Sequence, residues 1–241
     1  MLSKNSIKLI KSLELKKFRN QHQLFVVEGI KSVHEFLKSP FKVEKIFSVN
    51  DDLKVNLKHQ IEFITDDELK KISFLKSPNQ VLGLFKIPSI KKIDSNNLIV
   101  ALDAINDPGN LGTIIRLCDW FGIEQIICSN DTVDCYNPKV VQSTMGSLTR
   151  VNIFYTDLKE FISSFDGPVY GTFMEGKNIY QSELSKKGII VFGNEANGIS
   201  TEIEKLMSQK ISIPSFGLHQ DTESLNVATA VAIILSEFKR R

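Results

Sequence analysis

Three short polar segments in the C-terminal part of the sequence carry residue types that could do chemistry. The first, NDPGNLGTIIR at 106–116, follows a continuous apolar run. Pro108 and Gly109 make a tight turn, Asn110 can cap the helix that follows, and Gly112 allows close backbone approach. Arg116 then lies about one and a half turns into the helix, where its long side chain could reach back toward the strand ends. The second segment, GNEANG at 193–198, comes directly after the apolar IIVF. Two glycines and two asparagines around Glu195 suit a loop with left-handed positions and exposed amides, able to hold a ligand by main-chain hydrogen bonds. The third runs from ISIP at 211–214 through SFGLHQDT to ESLNV, with Ser224 and Asn226 at a helix N-terminus. Each segment also has a plainer reading: a common turn with a surface arginine, a solvated loop glutamate, a simple helix cap.

The elements that would position these segments follow from the apolar pattern. LIVALDA at 98–104 is a continuous apolar run, the mark of a strand covered on both faces. A helix at 111–121, a strand at 124–129, a helix around 138–148 and further alternating strands and helices follow. That alternation predicts a parallel sheet with helices on both faces. In such a sheet ligands bind beyond the carboxyl ends of the strands, where all three segments fall. The final helix, expected from Ser224 to about Phe238, is apolar at nearly every position up to Leu235 and so must be buried on several sides.

The first third predicts a separate small α/β module. Strands are expected at 24–29, 43–49, 61–65 and 80–85, with helices at 30–39 and 66–74. The first helix places Ile30, Val33, His34 and Leu37 on one face; the second opens with acids, which suits its dipole. The polar stretch beyond, with Pro88, reads as a linker. The division is 1–88, a linker at 89–97, and 98–241.

Composition narrows the classes. A chain of 241 residues, 42% hydrophobic and 24% charged, can bury a core. The net charge is +8 over residues 1–92 and −6 over the rest. A basic front part suits a polyanion, because neutralising phosphates releases counterions; a solvated lysine-rich surface would look the same. Cys118, Cys128 and Cys135 are odd in number and lack C-x-x-C spacing, which points to a reducing compartment and to neither disulfides nor zinc. The four histidines are scattered, so no metal site is expected. The charged N-terminus lacks a signal-peptide stretch and Val227–Leu235 is too short to span a bilayer, so the cytoplasm is expected and no membrane. Neither a P-loop nor G-x-G-x-x-G is present, which counts against a dinucleotide oxidoreductase.

Taken together and in this order, NDPGNLGTIIR (106–116), VFGNEANGI (191–199) and IP…SLNVATA (213–214 and 224–230) resemble the three signature motifs of the SpoU (TrmH-like) branch of the SPOUT RNA methyltransferases. Residues 98–241 are covered in register. The first third is similar to the L30e-like substrate-binding domain attached to many such enzymes, through FVVEG at 25–29 and KKFR at 16–19. The resemblance implies a parallel-sheet SPOUT domain whose C-terminal segment forms a deep trefoil knot, which would also cover the final helix. It implies a homodimer packed near that helix, S-adenosyl-L-methionine as cofactor, and methyl transfer to a ribose 2′-hydroxyl in structured RNA, ribosomal RNA ahead of transfer RNA. The matched catalytic set is Asn110, Arg116, Glu195, Ser224 and Asn226. The matched cofactor set is Thr172, Gly193, Asn194, Ile213 and Leu225. Lys16, Lys17 and Arg19 are expected to meet RNA.

One departure from the family pattern is the stretch after Pro214, eleven residues through Leu225 where many relatives have fewer. His219, Gln220 and Asp221 in it would bear on the cofactor lid or the substrate entrance. Methyl transfer from a sulfonium needs alignment and a better nucleophile rather than a metal. An arginine stays protonated and is a poor base, so Arg116 reads as holding the RNA phosphate and stabilising the developing oxyanion. The proton would pass to the phosphate or to water, with Glu195 as the other candidate base. The rival reading is a non-catalytic RNA-binding protein that kept the fold.

Overall fold

The computed structural model describes residues 2–51, 53, 61–89, 92–217 and 224–240. Along the chain the elements are α1 (Lys4–Ser12), α2 (Lys16–His22), β1 (Leu24–Glu28), α3 (Ile30–Leu37), β2 (Val43–Ser48), β3 (Ile61–Phe63), α4 (Asp66–Ile72), β4 (Val81–Lys86), β5 (Leu98–Leu102), α5 (Pro108–Trp120), β6 (Gln125–Ser129), α6 (Pro138–Thr144), β7 (Asn152–Thr156), α7 (Leu158–Ser163), β8 (Val169–Asn178), β9 (Gly188–Phe192), α8 (Thr201–Glu204), β10 (Gln209–Ser212) and α9 (Val227–Arg240). They form two compact units. One comprises Met1–Ile90 together with Asp134–Thr149; the other comprises Lys91–Val133 and Arg150–Arg241. The segment bearing α6 therefore packs with the N-terminal unit, although it lies between two strands of the C-terminal sheet in sequence.

The first unit is a mixed sheet in the order β1-β4-β2-β3, antiparallel except for the β2–β3 pair. Every residue of β1 is buried because both faces are covered. On one face Val26, Leu82 and Leu84 pack with Ile10 and Leu13 of the α1 region and Leu69 and Ile72 of α4. On the other, Phe25 meets Phe36, Phe41 and Phe85, and the Tyr136 ring stacks 4.7 Å from it. Such aromatic pairs add about 0.5–1.5 kcal/mol each beyond burial. The acids foreseen at the start of α4 sit in a capping box between Thr65 and Glu68. Glu28, which ends β1, is buried and accepts hydrogen bonds from Ser73 Oγ and from the Phe74 amide at 2.9 Å. Burial pushes its pKa above the ordinary glutamate value despite those two bonds.

Arg19 requires a correction. Expected to meet RNA, it is only 1% exposed. Its Nε and Nη2 donate to Asp134 Oδ2 at 2.8 and 2.6 Å, and Nη1 donates to the carbonyls of Leu13 and Glu14 at 2.8 and 2.7 Å. Four donated bonds fix the guanidinium fork inside the unit and leave no free charge for a phosphate. Lys16 and Lys17, one helical turn earlier, are exposed.

The second unit is a six-stranded sheet, β10-β8-β9-β5-β6-β7, with every pair parallel. Its central strands β5, β6 and β9 are buried at every residue; β5 and β9 are unbroken apolar runs, as double coverage requires, and β6 buries Gln125 and Ser129 at its ends. The last helix begins at Val227, not Ser224, and is less uniformly covered than its sequence suggested. Val227, Ala228, Val231, Ile234, Leu235 and Phe238 are buried, while Thr229, Ser236, Lys239 and Arg240 are exposed. It packs on α5, and Phe238 meets Tyr170 edge-on at 5.1 Å. Among the described residues, no helix is long and apolar enough to cross a membrane, and the three cysteines are buried and form no disulfide.

Candidate active site

Strand pairing brings two of the polar segments side by side. Leu102 at the end of β5 pairs with Phe192 at the end of β9, so the chains beyond them leave neighbouring strands together. Asp103 extends the match: its amide donates to the Phe192 carbonyl at 2.9 Å, and its carboxylate accepts from the Ser200 amide at 2.7 Å. The helix after β5 begins earlier than its apolar pattern indicated. Asp107, not Asn110, is the N-cap; its Oδ1 accepts from the Asn110 amide at 2.8 Å. The reason is Pro108, whose fixed φ and missing N–H suit the first helical position. That start leaves Asn110 in the first turn with its side chain free for other partners.

Those partners are the other two segments. Asn110 Nδ2 donates to Glu195 Oε1, and Asn110 Oδ1 accepts from Asn226 Nδ2 at 3.0 Å. The three residues lie 85 and 116 positions apart in the chain. Asn226 is itself anchored as the cap of α9, its Oδ1 accepting from the amides of Ala228 and Thr229 at 2.9 and 3.3 Å. Fixing Asn226 Oδ1 as acceptor makes its Nδ2 the donor, which makes Asn110 Oδ1 an acceptor and turns its Nδ2 toward the carboxylate. One polar chain thus joins the N-termini of α5 and α9 to Glu195. Each helix end carries roughly half a positive charge, so the place favours anions.

The other expected residues are distributed around this chain. Arg116 is the ninth residue of α5, exposed, and makes no hydrogen bond or ion pair among the described residues. Ser224 is exposed two residues before the α9 cap. Thr172, on β8, donates from Oγ1 to the Val191 carbonyl at 2.9 Å, so its hydroxyl serves the sheet. Gly193 has no room for a side chain: a Cβ there would lie 2.1 Å from the Gly198 carbonyl carbon and 2.2 Å from the Ile199 nitrogen. Ile213, just past β10, is half-buried, and Leu225 is 47% exposed. His219, Gln220 and Asp221 lie outside the described residues. The sequence reading missed Asp103, Asp107 and the hydroxyls of Ser129 and Thr132. The last two serve the same turn: Ser129 Oγ accepts from the Ala104 amide at 2.8 Å and Thr132 Oγ1 from the Ile105 amide at 3.3 Å. An Asp directly before Pro was a readable helix-start signal; the hydroxyls gave none.

Two buried thiols offer no further nucleophile. Burial pushes the Cys118 and Cys128 thiols well above their ordinary values, so neither is a thiolate near neutral pH. Among the described residues no group of His, Cys, Asp and Glu could hold a metal ion.

Comparison with known proteins places this geometry. Residues 97–236 match the model of the SpoU rRNA Methylase family, and residues 4–83 match an MRM3-like substrate binding domain. The chain is 29% identical over 232 residues to the 23S rRNA (guanosine(2553)-2′-O)-methyltransferase RlmP of Bacillus subtilis, covering 93% of this chain and 92% of that protein. Among solved structures it is similar to a TrmH-family protein from Porphyromonas gingivalis, with TM-score 0.93 and 35% identity over 100% of this chain and 99% of that one. It is also similar to an AdoMet-bound rRNA methyltransferase from Sinorhizobium meliloti, with TM-score 0.88 and 28% identity over 100% and 96% of the two chains. The family match spans more than half of the sequence and contains all three segments joined by Asn110, Glu195 and Asn226. The chain therefore belongs to the SpoU rRNA methylase family.

Proposed function

We propose that this protein transfers a methyl group from S-adenosyl-L-methionine to a ribose 2′-hydroxyl in ribosomal RNA. The observation that carries the reading is the hydrogen-bonded set Asn110, Glu195 and Asn226, drawn from three distant segments to the N-termini of two helices, with an unpaired Arg116 on one of them. The names of the relatives, RlmP among them, favour large-subunit ribosomal RNA over transfer RNA.

The residues fit the cofactor. Its adenine ring calls for apolar cover and main-chain hydrogen bonds; half-buried Ile213 and exposed Leu225 supply the first, and the main-chain groups of 193–198 that the loop does not use itself supply the second. When bound, the cofactor supplies an already activated methyl group. The chain's part is to bind, orient and manage charge. The dipoles at the N-termini of α5 and α9 favour the RNA phosphate. Arg116 grips the RNA phosphate bidentately and stabilises the oxyanion that develops on the ribose oxygen. Glu195, held through Asn110, fixes the first segment against the second. The proton lost by the hydroxyl passes to phosphate or water.

Lys16 and Lys17 belong to the RNA-binding surface of the N-terminal unit. The active form is a homodimer. Its support is the apolar surface left on the α5–α9 layer, where Trp120 is 84% exposed and Ile233 is only half-covered. Three buried cysteines outside any disulfide support a cytoplasmic site of action.

Three measurements test the reading. Calorimetry with S-adenosylhomocysteine should show one site per chain; no binding at high ligand concentration would sink it. Mapping of 2′-O-methylation in total RNA with and without the gene should show one ribosomal mark lost, and loss confined to transfer RNA would move the substrate. Light scattering showing a stable monomer at micromolar concentration would remove the dimer.

A further inference from the structure

Asn194 was expected among the cofactor ligands, but its side chain is engaged elsewhere. Its Nδ2 donates to the carbonyl of Ala104 at 2.8 Å, 90 residues away. Its Oδ1 accepts from the amides of Ala196 and Asn197 at 2.8 and 3.2 Å. Its main chain closes the same loop, exchanging hydrogen bonds of 3.0 and 2.8 Å with Gly198. The residue across from it is constrained as well. Ala104 has φ +58°, a left-handed conformation that costs a non-glycine residue free energy unless its surroundings hold it there. Its amide goes to Ser129 and its carbonyl to Asn194.

We infer that Asn194 is a positioning residue: it ties the 193–198 loop to the turn at 103–107, and so sets Glu195 and Asn110 at the distance where they meet. The geometry is specific. Glu195 is the next residue after Asn194, and Asn110 is carried by the helix that Asp107 caps at the end of the same turn. A shift of either loop would part the Asn110–Glu195 contact. The inference rests on the methyltransferase reading for what that contact does, but not for the tie itself.

The test compares wild type with Asn194→Asp. Asp keeps an acceptor for Ala196 and Asn197 but sets a carboxylate oxygen against the Ala104 carbonyl. Hydrogen exchange of the free protein should rise in 103–107 and 193–198 together; unchanged exchange at 103–107 would overturn the tie. S-adenosylhomocysteine affinity should change less than about threefold. Single-turnover methyl transfer at saturating cofactor should fall about ten- to a hundredfold, the scale of one polar partner left unmade. In an Asn110→Ala background the same substitution should add almost nothing, since residues acting through one contact are not additive. Full additivity, or lost cofactor affinity with normal turnover at saturation, would return Asn194 to the role of an independent ligand. If Asn194→Asp does not fold, Asn194→Ser carries the same measurements: its hydroxyl can accept from Ala196 but cannot span to Ala104. A wild type that binds no S-adenosylhomocysteine would defeat the methyltransferase reading and leave the exchange result to judge the tie.

Discussion

Two arginines were read from the sequence as RNA contacts, and the structure treats them in opposite ways. Arg19 sits in a lysine-rich helix of a strongly basic segment, yet it is 1% exposed and bound by Asp134 and two carbonyls. Arg116 sits in the net-acidic part of the chain, yet it is exposed and unpaired among the described residues. Net charge per segment counts cations without saying which are available. Availability depends on what the fold brings opposite each one, and for Arg19 that partner lies 115 residues away.

The sharpest contrast comes from removing each side chain. Arg116→Ala should lower single-turnover methyl transfer by about a hundredfold to a thousandfold, the usual effect of losing one group that stabilises developing charge. Cofactor affinity and thermal midpoint should stay near wild type, and lysine should rescue poorly because it lacks the planar fork. Near-normal turnover would take Arg116 out of the mechanism and direct attention to Glu195.

Arg19→Ala should do the reverse, destabilising the N-terminal unit by about 3–5 kcal/mol, because the largely covered Asp134 carboxylate loses its cation. The double variant Arg19→Met with Asp134→Leu should regain most of that loss, since an apolar pair of similar volume replaces a buried ion pair at little cost. Chemical denaturation measures both. If Arg19→Ala is as stable as wild type and loses RNA affinity instead, the sequence expectation was right after all.

The smallest effect belongs to the exposed neighbours. Lys16→Gln with Lys17→Gln should leave stability unchanged and reduce the slope of log affinity for RNA against log salt by about one to two units, as expected for one or two phosphate contacts. An unchanged slope would mean that this face of α2 does not meet RNA.

Much of the fold was legible because burial writes itself into apolar runs. The strand β5 reads as doubly covered from its apolar run, and it is buried at every residue. The three polar segments lie where a parallel sheet places ligand-binding ends, and each contributes one member of the Asn110–Glu195–Asn226 chain. The helix starts were less legible. Apolar periodicity begins at Leu111, but the helix begins at Pro108 because a cap and a proline, not hydrophobicity, set its first turn. The N-terminal helices α1 and α2 were passed over, although Ile10 and Leu13 show the spacing of a buried face. What local pattern cannot hold is pairing across distance: the Asp134 that neutralises Arg19 and the Asn194 bond to Ala104 depend on the closed fold.

The packing of Asp134–Thr149 with the N-terminal unit also has a consequence for synthesis. A nascent chain that has released its first 90 residues still lacks Asp134 for Arg19 and the Tyr136 ring for Phe25. At about 5–20 residues per second, the 44 residues from position 90 to Asp134 take roughly 2 to 9 s to make. For that interval the N-terminal sheet carries an uncompensated arginine and an open aromatic face. The unit translated first is therefore completed only after β5, α5 and β6 have been made, and during that wait a chaperone would find exposed surface to hold.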